Sequence, residues 1–200
     1  MRKSLGIMAA AAALGLAATP IPAQKFSNAY TFMKAVKDRD GNKVTEMTSG
    51  AGADIVINTK EPGTGDSALH IVANGRDRAW LSFLLSKGAR VDQQNDEGET
   101  ALSIAAKLGW FEGAELLVKR GAAVDIANDR GETPLILAVQ RRDLPVVRLL
   151  LSRGADPLRT DNVAGYSALD YAKRDGRSAA VVRLLEAPVA PAREIAGPKL

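Results

Sequence analysis

Residues able to do chemistry are few in this chain, and they sit in short clusters. His70 is the only histidine, and Asp66 and Ser67 stand just ahead of it, so the types of a carboxylate–nucleophile–base set lie close together. A serine that opens a helix directs its oxygen at the helix backbone and makes a poor nucleophile. Zinc needs several nitrogen or sulfur ligands, which one histidine and no cysteine do not supply. Asp96-Glu97-Gly98-Glu99 and Asn128-Asp129-Arg130-Gly131 set acids beside glycine. They lack the spaced carboxylates and closing glutamate of a calcium loop. Gly63-Thr64-Gly65 lacks the lysine and following serine or threonine of a phosphate loop. No catalytic residue, metal ligand or cofactor site is expected, and an enzyme is disfavoured.

The clusters belong to a larger pattern. Gly-x-[Thr/Ser]-[Ala/Pro]-Leu occurs at Gly65, Gly98, Gly131 and Gly165, at intervals of 33, 33 and 34 residues. A period of that length marks a stack of small units rather than one globular core. In the third copy Thr133 is placed to cap a helix, and Pro134 stands at the first helical position, where its missing N–H costs nothing. Leu135 and Ala138 share one face, and the small alanine admits a neighbouring helix. Ser67, Thr100 and Ser167 repeat the cap.

A turn follows at Arg76, Gly109, Arg142 and Gly176, where a left-handed conformation suits glycine and costs arginine something. A second helix carries Leu84-Leu85, Leu116-Leu117, Leu149-Leu150 and Leu184-Leu185, and Gly88, Gly121 and Gly154 read as left-handed caps. The stretch from Val124 to Gly131 reads as a projecting hairpin leading into the next unit.

These units resemble the ankyrin repeat. Its Thr-Pro-Leu-His signature is matched by Ser67-Ala68-Leu69-His70, Thr100-Ala101-Leu102-Ser103, Thr133-Pro134-Leu135-Ile136 and Ser167-Ala168-Leu169-Asp170. Its second signature is matched by Leu84-Leu85-Ser86-Lys87-Gly88-Ala89-Arg90-Val91-Asp92 and recurs around Gly121-Ala122 and Gly154-Ala155. Histidine survives only at His70, and a residue is gained near Asn162-Val163-Ala164, which is expected to distort one hairpin. The resemblance implies an all-α repeat solenoid of stacked helix-turn-helix units with projecting β-hairpin loops. Four repeats span residues 61–187. Residues 24–60 form a degenerate N-terminal capping repeat, which the link over residues 58–65 is expected to loosen from the rest.

The resemblance also implies that His70 bonds between loops, and that a protein partner meets the hairpin tips and the concave face of the first helices. Carried over by position, that surface holds Asp66 and Asn74, then Asp96, Glu97, Glu99, Lys107 and Leu108. The third repeat adds Asp129, Arg130, Glu132, Gln140 and Arg141, and the fourth Tyr166, Lys173 and Arg174. The strip runs from acidic to basic, a gradient that would orient a partner of opposite polarity. Trp110, beside Phe111 at a turn, is a candidate aromatic anchor. Phe111 and Trp80 are expected to pack on the stack.

Composition narrows the setting. The net charge is +4, but without Arg2 and Lys3 the balance is 25 basic against 23 acidic residues, which gives no reason to expect nucleic acid. Residues 1–23 read as a signal peptide: Arg2 and Lys3, an apolar run over positions 5–18, then Pro20 and Pro22 ahead of Ala23, with Ala18 as the alternative cleavage site. The run is shorter than the roughly 20 residues of a spanning helix. No cysteine is present to carry a lipid or a disulfide, so stability must come from stacking. A periplasmic or secreted monomer with no membrane anchor after cleavage is expected. The final Pro198-Lys199-Leu200 lacks the serine of a peroxisomal address. The Pro/Ala-rich tail, residues 188–200, has little to bury and is expected to be disordered.

Overall fold

The computed structural model describes residues 28–176 and 179–187, and the signal-peptide and tail expectations lie outside them. The order of elements follows the glycine period. Four inner helices, α4 (Ala68–Asn74), α6 (Ala101–Leu108), α8 (Pro134–Arg141) and α10 (Ala168–Asp175), stack side by side. Each is followed by an outer helix: α5 (Arg78–Ser86), α7 (Phe111–Lys119), α9 (Leu144–Ser152) and α11 (Ala179–Glu186). Ahead of them stand α1 (Asn28–Lys37), α2 (Gly41–Met47) and α3 (Ala53–Ile57), and α1 packs on α4.

Local chemistry starts each inner helix where the motif places it. The hydroxyl of Thr100 accepts from the Ser103 N–H at 3.1 Å, that of Thr133 from Ile136 at 3.3 Å and that of Ser167 from Asp170 at 3.2 Å. The motif leucines Leu69, Leu102 and Leu135 are fully buried. Burying each contributes about 2 kcal/mol. Leu169 is only partly covered, because α10 has no described inner helix on its far side. The alanines of α6 and α8 fill the contact between them and bring the helices close.

The turn between inner and outer helices is left-handed at Arg76, Gly109, Arg142 and Gly176, and also at Arg39 in the first unit. At the arginines the backbone cost is offset by bonds into the next repeat. Arg39 Nε donates to Asp77 at 2.8 Å, Arg76 Nη2 to the Leu108 carbonyl at 2.8 Å, and Arg142 Nε to Asp175 at 2.8 Å. Each of these arginines is followed by an aspartate cap, and after Gly109 the cap is replaced. Asp40, Asp77 and Asp143 cap α2, α5 and α9, but the equivalent position ahead of α7 is Trp110.

That exchange corrects the expectation for Trp110. Its side chain is 6% exposed and lies over Gly113, where an added Cβ would come within 2.1 Å of the ring. Trp110 is a core residue seated in a slot that only glycine leaves open, so it presents no anchor to a partner.

The connecting loops also differ from the expected hairpins. Among the described residues they form no β-strands, only isolated bridges at Lys60–Ser67 and Thr160–Ser167. Loops two and three close one residue earlier, with Asn95 N–H donating to the Glu99 carbonyl and Asn128 N–H to that of Glu132. In loop four the donor and acceptor are Asp161 and Tyr166, and in loop one Glu61 and Asp66. The extra residue before Gly165 therefore widens a turn to the size already used in loop one. The N-terminal unit is not loosened by its link. Asn58 accepts from the Arg90 N–H at 2.7 Å and from Gln93 Nε2 at 2.8 Å, and Lys37 pairs with Glu61.

Candidate concave binding groove

The loops are stitched to one another at their tips, and this fixes the site. Asp96 N–H donates to the Thr64 carbonyl at 3.0 Å, Asp129 N–H to Glu97 at 3.1 Å and Asn162 N–H to Arg130 at 2.8 Å. The glycine at each turn lets the next loop approach. A Cβ at Gly98 would stand 2.7 Å from the Asp129 nitrogen, and one at Gly131 2.6 Å from that of Asn162. Both glycines are left-handed, so space and conformation impose the same residue.

Between the tips and the ends of α6 and α8 lies a groove of about 630 Å³. It gathers nine of the expected residues: Asp96, Glu97, Glu99, Lys107, Asp129, Arg130, Glu132, Gln140 and Arg141. Asn128 and Leu137 complete its lining. A smaller recess of about 260 Å³ beside it holds Asp66 and Asn74 and shares Asp96, Glu97 and Glu99. Leu108 is half-buried and gives its carbonyl to Arg76, and Trp110 is in the core, so neither lines the groove. Tyr166, Lys173 and Arg174 form a separate group on the fourth repeat, where the Arg174 guanidinium lies 4.6 Å over the Tyr166 ring. Lys173 pairs with Glu186 at 3.0 Å.

In repeats two to four the residue after the loop glycine bonds to the helix end eight positions on. Glu99 accepts from Lys107 at 2.9 Å, Glu132 from Gln140 at 3.4 Å, and the Tyr166 hydroxyl from Arg174 at 2.8 Å. The Glu99 carboxylate holds the Lys107 ammonium above its ordinary pKa. Glu99 and Glu132 are 8% and 6% exposed, and burial of such carboxylates is offset by the donors that meet them. Glu132 is further held by Asn128 Nδ2 at 2.9 Å. Asn95, Asn128 and Asp161, which organise the loops, were not among the expected site residues. Their sign in the sequence is a short amide or carboxylate three or four positions before each loop glycine.

His70 belongs to this scaffold. It is fully buried, its Nδ1 accepts from the Ser67 N–H at 3.0 Å, and its Nε2 donates to the Glu99 carbonyl at 2.8 Å. Both nitrogens are engaged, so the ring ties the first repeat to the second loop and offers no base to a substrate. Among the described residues, no three His, Cys, Asp or Glu side chains converge in a way that could hold a metal ion. No helix among them is long and apolar enough to cross a membrane.

On the opposite, convex side, Phe111, Leu144, Pro145, Arg148, Leu149 and Ser152 line a shallower and more apolar hollow of about 590 Å³. The chain thus has a charged face and a plainer one. The inner and outer helix pair, the opening cap and the connecting loop recur from unit to unit. A family model described as ankyrin repeats (3 copies) matches residues 32–128, 81–161 and 120–192, which together extend over most of the chain. Stacking, caps, loop stitching and this match agree, and the chain belongs to the ankyrin-repeat family.

Proposed function

We propose that the chain is a noncatalytic scaffold that binds a protein partner through the groove formed by loops two and three with α6 and α8. The observation that carries this reading is convergence. Charged and polar residues of loops two and three and of the ends of α6 and α8 come together in one cleft, on loops whose backbones are already bonded to each other. A surface fixed in advance loses little conformational freedom on binding, so more of its contact energy appears as affinity.

The segment over residues 1–23 supports export, which would put this binding in the periplasm or outside the cell. There the chain, acting as a monomer, would stabilise or inhibit its partner, an enzyme or a toxin being the kind of protein such an accessory serves. The test replaces Asp96→Asn, Glu97→Gln, Arg130→Gln and Arg141→Gln together in a pull-down from periplasmic extract. Circular dichroism and melting temperature are expected to stay unchanged while recovery of the partner is lost. Unchanged recovery by the folded variant would rule out this surface.

A further inference from the structure

The charges of the groove divide into those already committed and those left over. Glu99 is held by Lys107, Glu132 by Asn128 and at 3.6 Å by Arg130, and Lys173 by Glu186. Asp96, Glu97 and Asp129 are exposed at the loop tips and have no ion-pair partner among the described residues. Of the three cations lining the groove, only Arg141 is likewise unpaired. The adjoining recess carries Asp66, Asp96, Glu97 and Glu99 and no cation. The expected gradient from acidic to basic is therefore muted, because most of the bases are spent internally. The charge left for a partner is acidic.

Spacing limits the partner further. Each loop adds two backbone segments to the bonded row of tips, so equivalent residues of consecutive loops stand about 9–10 Å apart at ordinary interstrand distance. Stacked helices, with axes about 8–10 Å apart, give the same figure. A chain in the polyproline II conformation advances about 9 Å in three residues and completes one turn, so every third side chain faces the same way. A β-strand covers that distance in three residues too, but turns its first and fourth side chains to opposite faces. A polyproline II backbone makes no internal hydrogen bonds, and the exposed amides of Asn74 and Gln140, at equivalent helix ends, flank the row.

Resting on the reading that this groove is the contact surface, we propose that its occupant is an extended polyproline II segment with lysine or arginine at every third position. One basic side chain lies against Asp96 and Glu97 and the next against Asp129. Arg141 ends the basic run at the third repeat.

Fluorescence anisotropy of the full chain with labelled synthetic peptides tests this. One proline-rich peptide carries lysine at every third position, a second has the same composition with its lysines clustered, and a third replaces lysine by glutamate. The first is expected to bind about tenfold more tightly than the second, and to weaken as salt screens the exposed charges. The glutamate peptide is expected not to bind. Replacing Asp96→Asn, Glu97→Gln and Asp129→Asn together should weaken the first peptide about tenfold, the sum of three modest surface pairs. Arg148→Gln on the convex face should change nothing. Equal binding of the clustered or the acidic peptide, or indifference to the triple variant, would overturn the proposal. If the groove variant of the pull-down loses its partner while the spaced lysine peptide shows no preference, the contact surface stands and this class of occupant fails. If the partner is still recovered, both fail.

Discussion

Loops two and three and loop four close the same turn in different ways. In the middle loops an asparagine does it. Asn95 Oδ1 accepts from the N–H groups of Glu97 and Glu99, and Asn128 Oδ1 from those of Arg130 and Glu132. Their amide nitrogens are then free to donate to carboxylates, Asn95 to Asp66 and Asn128 to Glu132, each at 2.9 Å. In loop four Asp161 takes three N–H groups on Oδ1, from Val163, Ala164 and Gly165, and the Tyr171 hydroxyl on Oδ2 at 2.5 Å. Aspartate has no nitrogen to give, and the residue at the loop base is Tyr166 instead of an acid. One atom in the turn-forming side chain thus goes with the charge of the site. The asparagine loops hold carboxylates in the groove and its adjoining recess, and the aspartate loop leaves a ring that carries Arg174.

The largest expected break of this comparison lies in the glycines. Gly98→Ala or Gly131→Ala adds a left-handed alanine and drives its Cβ into the backbone of the next loop. Destabilisation of roughly 2–5 kcal/mol is expected from conformational strain plus overpacking. Gly165 is also left-handed, but nothing lies within 4 Å of its added Cβ. Gly165→Ala should cost about 1 kcal/mol, the conformational part alone. Urea unfolding of the three variants measures the gap, and equal losses would show that loop stitching contributes nothing.

Acid separates the two kinds of loop by a smaller effect. Burial holds the His70 imidazole below its ordinary pKa, against the opposing pull of the Glu99 carbonyl. A histidine with a depressed folded pKa gives its full contribution above the unfolded value of about 6.5, and loses it as pH falls from there toward the folded one. Burial pushes the Asp161 carboxyl up, but the Tyr171 hydroxyl and the N–H groups of Ala164, Val163 and Gly165 outweigh it and hold it below the usual range. Its contribution is present above the unfolded value of about 3.9 and disappears as pH falls through the folded one. Melting temperature followed against pH should therefore fall in two windows. His70→Gln should flatten the first and Asp161→Asn the second. A first window that persists in His70→Gln would remove the histidine from the junction.

Much of this architecture was legible because short-range chemistry decides it. The caps at Thr100, Thr133 and Ser167, the left-handed turns at Arg76 and Arg142, and the bonding of His70 between loops each depend on residues near in sequence or one period away. The gathering of loop-tip and helix-end residues into one groove followed from the same register. Trp110 was not legible, because its burial depends on the slot at Gly113 and on the loss of the aspartate that caps the neighbouring units. The bond from Glu99 to Lys107 was missed for a related reason. An eight-residue separation is not a helical neighbour distance, and the loop must fold back over the helix before the two side chains meet.

The central claim is that the charged concave face, not the apolar convex one, meets the partner. Site-specific photo-crosslinking tests it most directly, with a benzophenone amino acid at Gln140 in the groove or at Ser152 in the convex hollow. Illumination in periplasmic extract should give a discrete adduct from position 140 and none from position 152. An adduct from position 152 with none from position 140 would contradict the account.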